Sequence, residues 1–425
     1  MNVLLLGSGG REHAFALSIS KSAKLGKLYI NPGNPGTESL GENIKPGLKS
    51  FREIKDFCLE KDIEMVVVGP EAPLVNGIYN EFITDPETAH IGVIGPSKEG
   101  AELEGSKDFA KQFMQRHEIP TAGYKTIQRD NLYAGFQFID SMRPPYVLKA
   151  DGLAAGKGVL ILDDADDAKR ELASMLSENK FGLAGNKVVI EQFMRGIECS
   201  VFVLTDGNSY KILPNAKDYK RIGEGDTGLN TGGMGAVSPV PFVDDAFMSK
   251  VERQIIIPTV EGLKKENIVY KGFIYIGLMN IGGEPFVVEY NCRMGDPETE
   301  VVLPRIKNDI LDLFLAVAEE RLEHTQIETD PRTAVTIVLA SGGYPEEYPS
   351  GFGIQGLEDV TESIVFQAGT KKDSSRVVTA GGRVLAVTSL GKDIKEAREK
   401  SYRSIQKIRF EGMYYRNDIG LDLLS

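Results

Sequence analysis

Glu289 and Asn291 stand two apart on Phe286-Val287-Val288-Glu289-Tyr290-Asn291, a run patterned as a strand. A period of two puts both on one face, with Val288 and Tyr290 on the other. Two oxygen donors so placed can reach one hard cation, which completes its shell with waters and substrate phosphates. A solvated sheet face would carry the same pair. Arg293-Met294-Gly295-Asp296-Pro297-Glu298 then turns the chain. A second candidate is Lys149-Ala150-Asp151-Gly152-Leu153-Ala154-Ala155-Gly156-Lys157-Gly158-Val159. It lacks the spacing of a P-loop, and a strand follows it instead of a helix. A glycine-rich hairpin over phosphates fits it better than a bare flexible turn, with Lys157 reaching down and Lys149 fixed on the preceding strand.

Three further segments carry weaker signals. Glu191 to Glu198 joins two strands; its extended backbone suits an adenine edge and Glu198 suits ribose hydroxyls, although a plain connection with a surface Glu reads the same way. Gly223 to Gly235 holds six glycines in thirteen residues and follows Lys217-Asp218-Tyr219-Lys220-Arg221. Ordering so much glycine costs entropy, so it reads as a substrate loop in preference to a linker. Gly7-Ser8-Gly9-Gly10-Arg11-Glu12 resembles the start of a dinucleotide fingerprint, but Glu12 replaces the third glycine and Asn31 stands near where a ribose-binding acid belongs. Both departures weigh against a nicotinamide-dependent dehydrogenase. The turn still offers backbone N–H groups to a phosphate, with Arg11 adding charge, or serves as a bare strand–helix turn.

The elements that must position these residues begin with short apolar runs at Val3–Leu6, Leu28–Ile30, Glu64–Val68 and Ile91–Ile94, alternating with helical segments such as 10–20. That alternation predicts parallel βαβ units whose strands end in ligand-facing turns. A helix over Ser106–Arg116 precedes β-rich runs at Tyr146–Ala150, Val159–Leu162, Lys187–Gln192, Cys199–Leu204 and Tyr210–Leu213, interrupted by a helix over Asp164–Leu176. After the glycine-dense segment come a helix over Ala246–Lys265, strands at Gly272–Met279 and Pro285–Asn291, and a helix over Asn308–Arg321. The last block mixes strands at Ala334–Ala340 and Val384–Thr388 with a helix over Ile394–Lys407.

Composition narrows the class. The 425 residues carry 49 Lys and Arg against 61 Asp and Glu, a net charge of −12, which argues against a general nucleic-acid binder. Three distant cysteines make no disulfide framework and no Cys-based zinc site, and four scattered histidines leave no HExxH motif. The opening MNVLLLGSGGREH lacks the basic region of a signal peptide, and no run approaches the ~20 apolar residues of a membrane helix. A cytoplasmic protein is expected.

In order and spacing, GSGGREHA at 7–14, NPGNPGT at 31–37, GPEAPLV at 69–75, GPSKEGAELEGSKDFAK at 95–111, KADGLAAGKGV at 149–159, KDYKRIGEGDTGLNTGGMGAVSP at 217–239 and EYNCRMGDPE at 289–298 resemble the ATP-grasp carboxylate–amine ligases. Within them they are similar to the phosphoribosylamine–glycine ligase (glycinamide ribonucleotide synthetase) family, and ASGGYPEEYPSG at 340–351 and AGGRVLAVTSLG at 380–391 extend the match to the end of the chain. Tyr290 and Met294 replace the family's usual Phe at packing positions.

The resemblance implies an α/β chain with an ATP-grasp fold: a parallel βαβ pre-ATP-grasp domain at 1–104, an ATP-grasp domain at 105–326 with a small mobile lid subdomain about 122–192, and a mixed α/β domain at 327–425. It implies ATP as cosubstrate with Mg2+ or Mn2+, glycine and 5-phosphoribosylamine as substrates, no nucleic-acid or membrane partner, and a monomer. ATP would meet Lys107, Lys149, Gly152, Gly156, Lys157, Gly158, Glu191, Phe193 and Glu198. The metal would take Glu289 and Asn291. Gly9, Gly10, Glu12, Gly69, Pro70 and Glu71 would border phosphoribosylamine, while Asp218, Arg293, Gly295 and Asp296 would line the glycine and sugar side. Arg293, Asp218 and Lys149 are the catalytic candidates. The implied reaction runs through glycyl phosphate in purine synthesis; a sister ligase acting on another acid or amine, or a noncatalytic nucleotide sensor of the same fold, are the alternatives.

Overall fold

A computed structural model of the chain describes residues 1–153, 158–177 and 187–424. Its first sheet is wholly parallel, with five strands in the spatial order Glu42–Asn43, Lys27–Pro32, Asn2–Gly7, Ile63–Val68, Gly92–Ile94. The central strand shows why an unbroken apolar run is needed. Leu4 and Leu6 enter one hydrophobic core, while Val3 and Leu5 enter another on the opposite face. A strand covered on both faces has no position left for a polar side chain.

A four-stranded antiparallel sheet forms the middle of the molecule, in the order Tyr210–Ile212, Ile197–Thr205, Gly272–Ile281, Glu284–Asn291. It shares both cores with the first sheet: Val201 and Ile276 pack with Leu4 and Val66, and Phe202 and Phe273 with Val3 and Phe15. Glu284–Asn291 is its edge strand. The register slips between Gly277 and Leu278, so Val288 falls out of the ladder. This corrects the strict alternation expected along this strand. Val287 and Tyr290, three apart, both reach the core because the bulge absorbs one residue. Glu289 and Asn291 remain half-buried beyond it, towards the cleft.

Residues 124–192 contribute a smaller antiparallel sheet, in the order Tyr124–Gln128, Lys187–Gln192, Tyr146–Ala150, Val159–Leu162. It has a core of its own, formed with the helices Leu132–Ser141 and Ala165–Ser177. The helix Lys107–Arg116 links this sheet to the centre and starts on the Ser106 hydroxyl, which accepts from Phe109 N.

The glycine-dense segment is more ordered than the loop expected from its sequence. Arg221–Gly223 pairs with Thr227–Asn230, and Lys217–Asp218 pairs with Gly235–Ser238. Gly235–Ser238 then adds to the C-terminal sheet beside Thr333–Ala340, followed by Arg383–Gly391 and Ile364–Gln367. The expected Ala246–Lys265 helix is one run of helical turns with a π turn at Glu252–Ile256. Pro258, two residues on, gives no N–H to the helical ladder.

Candidate active site

The cleft between the small sheet and the central sheet gathers most of the residues singled out from the sequence. Lys149, on Tyr146–Ala150, lies buried with its Nζ 3.0 Å from Glu191 Oε1, and donates to the Val288 carbonyl at 3.3 Å. That carbonyl belongs to the bulged residue next to Glu289. Lys107, at the start of its helix, donates to the Gly152 carbonyl at 2.9 Å. Burial lowers its proton affinity, and Glu289 works in the opposite direction. Asp151 accepts from Ser106 Oγ and from the Asp108 backbone N–H, so the turn after Lys149 is fastened to the same helix start. Gly158 is buried, whereas Gly156 and Lys157 lie outside the described residues.

Glu289 collects the cations. Burial resists its ionisation, but Lys220, Lys149, Lys107 and Arg293 together hold its carboxyl below the usual range. Lys220 Nζ stands 4.0 Å from Glu289 and 2.7 Å from Glu198 Oε2. Behind them lies a second acidic group. Burial and Asp218 push Glu298 up to about 7, while Asp218 itself is raised by burial and by Glu198 and Glu289, with Lys220 opposing. Among the described residues no group of three or more His, Cys, Asp or Glu is arranged to hold a metal. Two hard oxygen donors, Glu289 and Asn291, fit a cation that arrives with phosphates and keeps waters of its own.

The Glu191 carboxylate is buried between Lys149 and Lys111, at 3.0 and 3.1 Å. Phe193 is part-exposed, with the Arg195 guanidinium 5.5 Å over its ring.

The substrate-side candidates converge from three parts of the chain. Glu12 turns inward beneath its own turn: Gly9 N donates to Oε2 at 2.6 Å and Arg11 Nε pairs with Oε1 at 2.7 Å. Gly7, with φ +122, and Gly69 give the room, because a Cβ at either would overlap the Glu12 carboxyl. Pro70 precedes the short helix Glu71–Val75, and Glu71 lies 3.4 Å from Arg293 Nε. Arg293 donates through Nη2 to Glu104 at 2.7 Å. Burial opposes its charge, but Glu104 and Glu71 raise its proton affinity. Glu104 also accepts from the Cys292 backbone and thiol. Arg11 Nη1 donates to the Met294 carbonyl at 3.0 Å, joining the first turn to the 293–298 turn. A Cβ on Gly9 would lie 3.3 Å from Asp296, and one on Gly295 would meet Glu298. Gly10 lies against Glu300, a fully buried carboxyl whose proton affinity is raised by burial and by Asp296. Tyr290 and Met294 are both buried, the former with its hydroxyl 2.7 Å from Thr259 Oγ1.

Sequence reading passed over Arg383. From the C-terminal sheet it donates to the carbonyls of Gly232 at 2.7 Å and Asp296 at 2.6 Å, and its Nη2 lies 3.1 Å from Asp296 Oδ1. Tyr344 OH accepts from Gly232 N at 3.0 Å. Lys111, Glu104, Lys220 and Glu298 were also given no role. All four lie inside the motif stretches quoted from the sequence or directly beside them, and position within a motif was the only available signal.

A small antiparallel sheet and a central sheet facing each other across a cleft of lysines and a carboxylate, behind a parallel N-terminal sheet, define an ATP-grasp ligase. The sequence patterns of phosphoribosylglycinamide synthetase match the chain in three parts: its N domain over residues 1–104, its ATP-grasp (A) domain over 105–299 and its C domain over 334–422. The chain therefore belongs to the phosphoribosylglycinamide synthetase family. It is 44% identical over 419 residues to the phosphoribosylamine–glycine ligase of Caldanaerobacter subterraneus subsp. tengcongensis, covering 99% of both chains. It is 45% identical over 432 residues to that of Chlorobaculum tepidum, covering 100% of both. The crystal structure of the Thermotoga maritima phosphoribosylamine–glycine ligase superposes with a TM-score of 0.84 at 36% identity, over 99% of this chain and 100% of that one. The biotin carboxylase domain of Hydrogenobacter thermophilus 2-oxoglutarate carboxylase shares the fold, with a TM-score of 0.74 at 16% identity over 97% of this chain and 91% of that one.

Proposed function

We propose that this enzyme, a C–N ligase of the ATP-grasp class, joins glycine to 5-phosphoribosylamine at the cleft between Lys149 and Glu289, with the residue roles that follow. A glycine carboxylate oxygen attacks the γ-phosphorus of ATP, forming glycyl phosphate and releasing ADP. The amine of phosphoribosylamine then attacks the acyl carbon, phosphate leaves, and the nitrogen sheds a proton. Activation is required because an amine cannot expel oxide from a free carboxylate. The protein's contribution is positioning and charge neutralisation.

Lys149 and Lys107, with Gly152, Gly156, Lys157 and Gly158 of the hairpin, bind the phosphates. The backbone around Phe193 receives adenine, and Glu198 the ribose. Glu289 and Asn291 would hold Mg2+ or Mn2+, which would supply charge neutralisation for the polyphosphate. Arg293, oriented by Glu104 and Glu71, offsets charge on the transferring oxygens. Asp218 accepts the proton shed by the amine. Gly9, Gly10, Gly69, Pro70, Gly295 and Asp296 shape the amine and sugar side, and Glu12 shapes it from beneath.

The observation that carries this reading is the set of cations, Lys220, Lys149, Lys107 and Arg293, whose charges hold the Glu289 carboxyl below the usual range, with Lys220 Nζ 4.0 Å away. Four cations around one acid suit a polyphosphate with its cation. The test is ADP release across candidate acids and amines, combined with 18O-labelled glycine. Label should pass into phosphate only with ATP present, and no transfer would dismiss the acyl phosphate. Glu289→Gln should lower turnover by at least ~100-fold at saturating Mg2+ while the protein stays folded. Near-normal turnover would remove Glu289 from the metal site.

A further inference from the structure

Lys111 is a buried lysine that the reaction as described does not use. It lies on the Lys107–Arg116 helix, 2% exposed, with its Nζ 2.7 Å from Thr121 Oγ1 and 3.1 Å from Glu191 Oε2. Thr121 Oγ1 in turn donates to the Val287 carbonyl at 2.7 Å. The other Glu191 oxygen faces Lys149, which donates to the neighbouring Val288 carbonyl. The contacts close a ring: central edge strand, Thr121, Lys111, Glu191, Lys149, and back to the same strand at the bulge beside Glu289. Two cations in this ring share one carboxylate, leaving a net positive charge where the cleft begins.

Burying three charges is expensive, and a closed one-to-one pair would be the less costly arrangement. With one Glu191 oxygen occupied by Lys111, Lys149 faces only the other. Burial pushes Lys111 down to about 8, with Glu191 opposing and Lys149 adding, so it still carries its charge at neutral pH. We propose that Lys111 is a positioning residue of the nucleotide site, sharing Glu191 with Lys149 so that Lys149 stays presented to the triphosphate instead of being drawn into a closed ion pair. Replacing Lys111 by an apolar residue hands the whole carboxylate to Lys149 and deletes one positive charge from the cleft wall. Both changes weaken the hold on a polyanion and leave the glycine and amine side untouched.

The inference rests on the reading that Lys149 meets the phosphates, and Lys149→Met tests that reading by itself. Steady-state ADP release would be measured for the wild type, Lys149→Met, Lys111→Met, Glu191→Gln and the Lys111→Met/Glu191→Gln pair. Lys111→Met should raise the KM for ATP by about tenfold, with the KM for glycine within about twofold of wild type. In the Glu191→Gln background the same change should raise the KM for ATP much less, because only the lost charge still counts and no carboxylate remains to capture Lys149. An equal rise in both backgrounds, or no rise in the wild-type background, would overturn the role of Lys111. An unchanged KM for ATP in Lys149→Met would overturn the underlying reading and this proposal with it. A raised KM in Lys149→Met together with a normal one in Lys111→Met sinks the proposal alone. If Lys111→Met does not fold, Thr121→Val removes one acceptor of Lys111 and carries the test: a raised KM for ATP at unchanged KM for glycine is expected, and no rise overturns it.

Discussion

Gly69→Ala is a one-carbon perturbation whose consequence can be followed from the packing to the reaction. The added Cβ would overlap Glu12 Oε1 and lie 2.7 Å from both its Cγ and Cδ. A free glutamate would swing aside at little cost. This one cannot, because it is buried, it accepts from Gly9 N at 2.6 Å, and its other oxygen pairs with Arg11 at 2.7 Å. Overpacking a closed site costs about 1–3 kcal/mol. Losing the charge-assisted bond from Gly9 N adds about 1.5–3 kcal/mol if Glu12 is expelled. With Glu12 expelled, folding should therefore lose about 2.5–6 kcal/mol. The displacement also reaches Arg11, which donates to the Met294 carbonyl, and hence the turn that carries Gly295 and Asp296. About 1.4–2.8 kcal/mol of that cost carried into the transition state would lower kcat/KM for phosphoribosylamine by roughly 10- to 100-fold, at about 1.4 kcal/mol per decade. The KM for ATP should stay normal, since none of these groups touches Lys107 or Lys149. Denaturant unfolding and ADP release read the two effects separately. Gly353→Ala is the control, because a Cβ there meets nothing within 4 Å. A Gly69→Ala protein as stable and as active as that control would refute the argument that Glu12 is wedged.

Two further outcomes are expected. Glu298 titrates near 7 in the folded protein because of burial and Asp218, above the 4.5 of a free glutamate. Between those values the unfolded chain releases the proton first, so this group costs stability as pH rises from about 4.5 to about 7 and no more beyond. Glu298→Gln, which mimics the protonated form, should therefore gain about 1–3 kcal/mol over wild type at pH 8 and nothing at pH 4, measured by denaturant unfolding; a gain independent of pH would count against the raised value. Arg383→Lys keeps the charge but cannot reach the Gly232 and Asp296 carbonyls and the Asp296 carboxylate together. It should raise the KM for glycine or for the amine by about 10-fold while sparing ATP, and an unchanged profile would remove Arg383 from the support of the 223–235 segment.

The amino-acid order by itself determined a great deal. Apolar runs such as Val3–Leu6 had to be buried on both faces, because nothing polar interrupts them, and the structure makes that run the middle of a parallel sheet. Glycine-rich turns at strand ends marked where backbone approaches other groups, and the ordered series of motifs marked the family. Local spacing also put Glu289 and Asn291 on the same side, which regular pairing beyond the bulge produces, whereas the bulge at Val288, invisible in the sequence, sets which earlier residue reaches the core. Tertiary structure decided what side chains do with their charge. Glu191 faces Lys149 across neighbouring strands of the small sheet and faces Lys111 because that sheet packs on the Lys107–Arg116 helix, and its place at a strand end said nothing of that. Arg383 meets Gly232 and Asp296 across 151 and 87 residues, and Arg11 meets Met294 across 283. Periodicity reports which face of an element is apolar, and that depends on near neighbours. The partner of a buried charge is chosen by whichever distant segment closes over it, and so becomes legible only once the chain has folded.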